Sequence, residues 1–496
     1  MQYRLRTKSF RYILILVYFI LISSPLWVHR YFVSMDGPAH LYNARIMQHL
    51  LLGNEHFHHF FEWNTQNFSN WLDHIILALA LFIFPAWLAE KVFYMFYIVL
   101  FVVSVYQFFK DQEHAWLKTI IVTPFIYTFL FALGFYNFSL GICLLILLLA
   151  FHKKPDPYKT WINSFSIAAL ALVLFFTHAF VFSVYGLFLV FYALIRGWFL
   201  FKEPESIKRI LFLYSRIFLV HLVALFFFGL QYFIGKTGAE ISLFLNKNLV
   251  FIVDFILHTR PVIVYNRPFE SSITFLLFTG YLLGAYSILK HRIKAKNVFE
   301  WYDIFLYLAV VLFVLTMLIP NEVPGLTGFF NNRFGIPMYI FFLCWMLSAS
   351  LPRHIFIFNV VAAGIVSLFL VNYYNRVQTN LNGTYVNELI KLVDVLPTNA
   401  LVIPENTSNN WVMPHFENYI NAERPDVVVL ENYEADSHVF PVIWKGGGFE
   451  TEIRKEVLQD NSEAIYFLKY LNNEEIADSS KYHYINSQFA LRRHNK

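Results

Sequence analysis

Eleven stretches of this chain contain no Asp, Glu, Lys or Arg: residues 12–27, 92–109, 119–133, 138–151, 161–177, 179–195, 217–234, 271–289, 304–319, 334–350 and 355–371. Each is near the length a helix needs, at 1.5 Å per residue, to cross about 30 Å of hydrocarbon. A segment in lipid must satisfy its backbone polar groups internally, so runs like these read as transmembrane helices. Only 14% of the 496 residues are charged and 58% are apolar, against roughly 25% charged in an average soluble domain. That excludes a soluble enzyme and a disordered chain. The expected fold is an α-helical polytopic membrane protein with about 11 transmembrane helices.

A twelfth apolar run, 75–89, is shorter and carries Pro85 near its end. Loop charge decides its fate, because cytoplasmic loops are enriched in Lys and Arg. Arg4, Arg6, Lys8 and Arg11 fix the N-terminus inside. If 75–89 does not cross, the loops bearing Lys110/Lys118, Lys153/Lys154/Lys159, Arg196/Lys202/Lys208/Arg209, Lys290/Arg292/Lys294/Lys296 and Arg353 all fall inside; if it crosses, all fall outside. The run is therefore read as an interfacial or re-entrant helix. The first segment has the basic start and apolar core of a secretory signal, but it is long and no small-residue cleavage pattern follows, so it reads as an anchor.

Beyond Asn372 the chain turns polar, with helix-like periodicity over 385–396 and strand-like runs at 401–404 and 427–430. Residues 1–372 are thus expected to form the membrane domain, and 373–496 a small extracytoplasmic α/β domain. The net charge of +5 follows the loop bias rather than one continuous basic face, so no nucleic-acid partner is expected. The two cysteines, Cys143 and Cys344, lie inside apolar runs and offer no disulfide framework or thiolate metal site. There is no Walker A loop, and Gly446-Gly-Gly448 reads as a flexible turn.

On this topology the outer face collects a first loop (28–73), short turns at 134–137 and at His178, and loops at 235–270 and 320–333. The first loop reads as amphipathic helices lying along the membrane surface, with Leu41, Ala44, Met47 and Leu51 at helical spacing after Pro38. Asp36 stands just before that helix, where a carboxylate can take a proton from a hydroxyl at the lipid–water boundary. It reads equally well as a helix cap. His40, one turn on, makes an Asp36/His40 pair plausible or is a surface histidine. His56, His58 and His59 invite a metal reading, but their spacing matches no motif with a mechanism, and a wet interfacial segment accounts for them. His178 and His221 lie in or beside apolar runs, which suggests a cavity or a neutral, satisfied structural role. Arg333 is the lone basic residue of 320–333. It abuts a span, where a guanidinium can hold a lipid phosphate or simply anchor the helix. Arg260 and Arg267 are secondary candidates, which ordinary loop solvation accounts for more readily.

Taken in order, an N-terminal span, an acid opening a helical outer loop, Gly134-Phe-Tyr-Asn-Phe-Ser-Leu-Gly141, Thr177-His-Ala-Phe180 and Asn332-Arg-Phe334 before a late span resemble the GT-C superfamily of glycosyltransferases. These multi-span enzymes use polyprenyl-phosphate sugars as donors, and the likeness is to the protein O-mannosyltransferase and aminoarabinose transferase group, over roughly the first 370 residues. The resemblance implies inverting transfer on the outer face, with Asp36 as general base on the acceptor hydroxyl, Arg333 on the leaving polyprenyl phosphate, and His40, Asn137, His178, Arg260 and Arg267 lining the substrate. Many relatives carry two adjacent acids where this chain has Asp36-Gly37, and several carry an acid where it has Asn137. No divalent metal or other cofactor is therefore expected. His415, Trp411 and Asn432-Tyr-Glu-Ala435 in the C-terminal domain could bind acceptor or cap the site. The competing readings are a lipid or solute transporter, which predicts inverted repeats and mid-bilayer charges, and an inactive scaffold, suggested by the missing acids. Composition leans towards a bacterial inner membrane, with a cytoplasmic N-terminus and a periplasmic C-terminal domain; neither the sugar nor the acceptor is legible.

Overall fold

A computed structural model of the chain describes residues 2–154, 156–201, 206–234, 247, 249–295, 299–322, 328–459, 464–472 and 479–494. Lys202, Lys296 and the stretches 235–246 and 323–327, expected in outer loops, lie outside the described residues. The chain forms two compact units: Met1–Ile98 with Leu368–Lys496, and Val99–Ser367. The expected C-terminal domain, 373–496, thus shares a unit with residues 1–98.

In the first unit, α1 (Gln2–Trp27) is followed by an extended segment and then by α2 (Gly37–Leu51), α3 (Glu55–Phe60), β1 (Phe61–Trp63), α4 (Leu72–Leu81) and the start of α5 (Ala86–Phe109). The extended segment finds its hydrogen bonds in two side-chain amides. Gln378 exchanges two bonds of 2.8 Å with the Val33 backbone, and Asn382 accepts from Tyr31 N and donates to Tyr31 O. These amides meet the backbone N–H and C=O of both Tyr31 and Val33, as a neighbouring strand would.

α2 begins where Pro38 predicts, since a fixed φ and a missing N–H cost nothing in a first turn. Leu41, Ala44 and Met47 are buried as expected, whereas Leu51 is exposed. The expectation that its polar side faces water is corrected: thirteen of its fifteen residues are buried, Asn43, Arg45 and Gln48 among them. Its polar face meets protein groups rather than water; Arg45 Nη1 donates to Gln48 Oε1 at 2.5 Å, for example. The 75–89 run is also corrected, because it is not one helix. α4 ends at Leu81, a turn follows, and α5 starts after Pro85. Ten residues span about 15 Å, half a bilayer.

The strands β2 (Leu401–Pro404), β3 (Val428–Val429), β4 (Val442–Trp444), β5 (Ile465–Tyr470), β6 (Tyr484–Ile485) and β7 (Phe489–Arg493) complete the unit. Five of them form a mixed sheet in the order β3-β2-β5-β7-β6, with β2 parallel to β3 and β5. β1 and β4 pair antiparallel, which joins residues 61–63 to the C-terminal segment through stacked Phe61 and Trp444. Tyr42 of α2 closes the open edge of β3: its hydroxyl donates to Val429 O and accepts from Val429 N, both at 3.0 Å.

The second unit is helical. The expected span over 119–133 is not continuous but breaks into Ala115–Val122, a short turn of 3₁₀ helix at Thr123–Phe125 and Phe129–Ala132. Pro124 brings no N–H to the ladder, and the Thr128 side chain caps the new start by accepting from Phe131 N. Among the described residues five helices are long and apolar enough to cross a membrane: Ala86–Phe109, Ala179–Phe201, Ile207–Gln231, Pro268–Ala295 and Arg353–Val393. The third leaves Leu211, Phe212, Phe218, Leu219, Val223 and Phe226 bare. A row of that kind is stable against lipid and costly in water.

Candidate functional site

Asp36 occupies the N-cap position of α2, yet its side chain makes no capping hydrogen bond. The carboxylate is 3% exposed. The Tyr433 hydroxyl hydrogen-bonds to it, and its Oδ1 accepts no hydrogen bond among the described residues. That oxygen stands 3.9 Å from His415 Nε2, whose Nδ1 is held 2.8 Å from Glu431 Oε1. Asn418 donates to the other Glu431 oxygen at 2.9 Å, and the Tyr433 ring stacks on His415 at 4.2 Å. Burial pushes the Asp36 carboxyl up to about 6, against the pull of His415 and His40. Burial lowers His415, but Glu431 and Asp36 outweigh it and raise the imidazole to about 9. The result is a carboxylate more basic than an ordinary aspartate, beside a fixed imidazole, in a desolvated setting.

His40 does turn towards the interior of the unit, but its ring engages a different set of acids from the pair expected with Asp36. Its Nδ1 lies 2.9 Å from Asp73 Oδ2, 3.1 Å from Glu434 Oε1 and 3.2 Å from His74 Nε2. His74 Nε2 is 2.9 Å from Glu434 Oε2, and Asp73 Oδ1 approaches His74 Nδ1 to 2.6 Å off the N–H direction. Asn43 Nδ2 donates to Glu434 Oε2, while Asn432 Nδ2 donates to Asn43 Oδ1 at 2.8 Å. Burial opposes charge on all of these groups, but their mutual attraction wins. It lifts His74 to about 10 and holds Glu434 below the usual carboxylate range. Among the described residues His40, Asp73 and His74 form the group of three that could hold a metal ion; His56, His58 and His59 are not part of it.

In the second unit the structure brings Arg333 and His178 together. Arg333 Nη1 is 3.5 Å from His178 Nε2, and the guanidinium lies over the Phe135 ring at 4.9 Å, beside the turn that leads to Asn137. Arg333 is 6% exposed, its Nε makes no hydrogen bond and no carboxylate pairs with it among the described residues. Asn137 is buried on the helix Tyr136–His152. The turn Arg260–Val262 packs against the helix Phe330–Ser348, where Pro261 meets Gly335 two residues after Arg333. The Arg260 side chain itself is engaged by Asn266 at 2.8 Å and by Asp254 at 3.7 Å. Arg267 contributes its backbone N–H to the Glu270 carboxylate, which caps the next helix by also accepting from Val264 and Tyr265. His221 is a satisfied structural histidine, between the Tyr185 hydroxyl at 2.9 Å and the Ile217 carbonyl at 2.7 Å.

Asp73 and His74 escaped the sequence reading. The available signal was an Asp-His pair opening an apolar run, since ionisable groups at such a position are expensive unless used. The sequence reading of His415, Tyr433 and Glu434 is that they bind acceptor or cap the site; Glu431 carries no such signal. Asp36 is not part of the His40, Asp73 and His74 group. No protein-family model matches the chain, and no curated protein matches it.

Proposed function

We propose that this chain is an inverting membrane glycosyltransferase. It moves a sugar from a polyprenyl-phosphate donor to an acceptor hydroxyl on the outer face of a bacterial inner membrane. The reading rests first on Asp36, a buried carboxylate that does no capping, with one oxygen free of hydrogen bonds and a fixed His415 beside it. Such a group is suited to accept the acceptor's proton. As the hydroxyl oxygen attacks the anomeric carbon, its O–H proton passes to the carboxylate. The bond from that carbon to the phosphate oxygen breaks, and the polyprenyl phosphate leaves with the electron pair. His415, steadied by Glu431, balances the charge on Asp36 before the transfer.

A departing phosphate needs a fixed cation, and within the second unit Arg333 has the chemistry to hold a phosphate. A buried guanidinium without a carboxylate partner is costly unless an anion compensates it, and its fork matches phosphate oxygens. The test is sugar transfer by purified protein, with labelled native-membrane lipid extract as donor source. Asp36→Asn should fall by about 10²–10⁴-fold, and transfer at the wild-type rate would remove the catalytic assignment.

A further inference from the structure

The convergence around His40 exceeds what hydrogen bonding can serve. Three acceptor-capable atoms, Asp73 Oδ2, Glu434 Oε1 and His74 Nε2, approach His40 Nδ1 to 2.9, 3.1 and 3.2 Å. One imidazole nitrogen carries at most one proton, so it cannot bond all three. Glu434, fully buried, shows the excess directly: its Oε1 points at this centre and makes no hydrogen bond. A cation among the four groups would be shared by all of them at once.

The spacing suits one class of cation. In a tetrahedral site with metal–ligand bonds near 2.0–2.1 Å the ligand atoms stand about 3.3 Å apart. The three separations from His40 Nδ1, 2.9 Å to Asp73 Oδ2, 3.1 Å to Glu434 Oε1 and 3.2 Å to His74 Nε2, are within a few tenths of that. Two imidazoles and two carboxylates favour a first-row divalent ion over magnesium or calcium, which take oxygen ligands. Two carboxylates also balance its charge. Asn43, which donates to Glu434 Oε2 and is itself held by Asn432, is the outer support that metal-bound carboxylates require.

We propose that His40, Asp73, His74 and Glu434 form a binding site for one first-row divalent metal ion, zinc in the first instance. The site ties α2 and α4 to the Tyr433–Ser437 helix. Because Glu434 follows Tyr433, which touches Asp36, the ion would also hold the wall of the proposed base. The proposal does not depend on the glycosyltransferase reading, since its readout is metal content.

The experiment uses full-length protein purified in detergent, stripped with chelator, dialysed against zinc, cobalt or manganese, and analysed by plasma mass spectrometry. Wild type should retain one equivalent, and its cobalt form should show the intense visible bands of a four-coordinate site with nitrogen ligands. Glu434→Gln, which preserves shape, and His74→Ala should each lose at least ten-fold in affinity. His58→Ala, outside the cluster, should bind as wild type. Less than a tenth of an equivalent on wild type with all three metals, or unchanged metal affinity in a folded Glu434→Gln variant, overturns the site.

Discussion

At the scale of residues, the assignment of Asp36 turns on what its side chain does not do. A capping aspartate replaced by asparagine would keep its acceptor and its stability, and one replaced by alanine would cost about 1 kcal/mol. Here the side chain does not cap, so Asp36→Asn is expected to leave the thermal midpoint of the purified protein within a degree or two while transfer falls. A large loss of stability would mean that the carboxylate is a structural prop. His415→Gln should lower turnover less than Asp36→Asn does, because it steadies the carboxylate without taking the proton. A measured turnover ranking in the reverse order would make His415 the base. Asp36 was legible because an acid before a Pro-started helix, just past a span, is a local pattern. His415 and Glu434 lie nearly 400 residues further along, in a polar segment with no periodic signal linking them to α2. The cluster around His40 was unreadable for the same reason: two of its members are adjacent in sequence and the other two are brought there only by the fold.

At the scale of elements, α2 shows how a correct helix can carry a wrong environment. Its start and three of its four apolar positions follow from sequence, but its polar residues read as solvent-facing and are buried. Hydropathy records that a residue is polar without recording whether its partner is water or protein. The Tyr42 hydroxyl is the clearest case, since it serves both backbone groups of Val429 at the edge of β3. Tyr42→Phe strands a buried donor and acceptor and should destabilise by about 1–3 kcal/mol in a denaturation midpoint. No shift would mean that water replaces the hydroxyl. Strands β2 and β3 were visible as short apolar runs between turn residues, whereas the breaks at Pro85 and Pro124 divided runs that charge counting alone had joined.

The same sheet gives a pH-dependent expectation. Glu417 is buried, and burial, with Glu431 nearby, raises its carboxyl above the usual range; Tyr470 donates to its Oε2 at 2.5 Å. The folded state therefore keeps a proton that the unfolded chain has lost. The stability this group contributes is present below the ordinary carboxylate range and is lost as pH rises through the raised value. Glu417→Gln does not titrate, so its thermal midpoint should exceed that of wild type by a margin that grows with alkalinity. Parallel pH profiles for the two proteins would show that Glu417 titrates normally.

At the scale of the whole molecule, the membrane character was the most legible property, because charge-free runs of bilayer length have few other uses. The number of crossings was less so, since several apolar runs form helices too short or too broken to count by length alone. If the first unit is held by a metal, chelation should lower the thermal midpoint of the intact protein and zinc should restore it. A ligand at a thousand times its dissociation constant contributes about 4 kcal/mol. A midpoint indifferent to chelator and zinc would show that protons alone hold the cluster.

The donor class is the claim on which the functional reading depends most, and it can be met without knowing the sugar. Native mass spectrometry of the detergent-purified protein, with undecaprenyl phosphate or undecaprenol added, compares wild type with Arg333→Ala. The expected result is retention of the phosphate by wild type, little retention of the alcohol, and loss of the phosphate in the variant. Equal retention of phosphate and alcohol, or of the phosphate by both proteins, would contradict a phosphate site at Arg333 and with it the polyprenyl-phosphate donor.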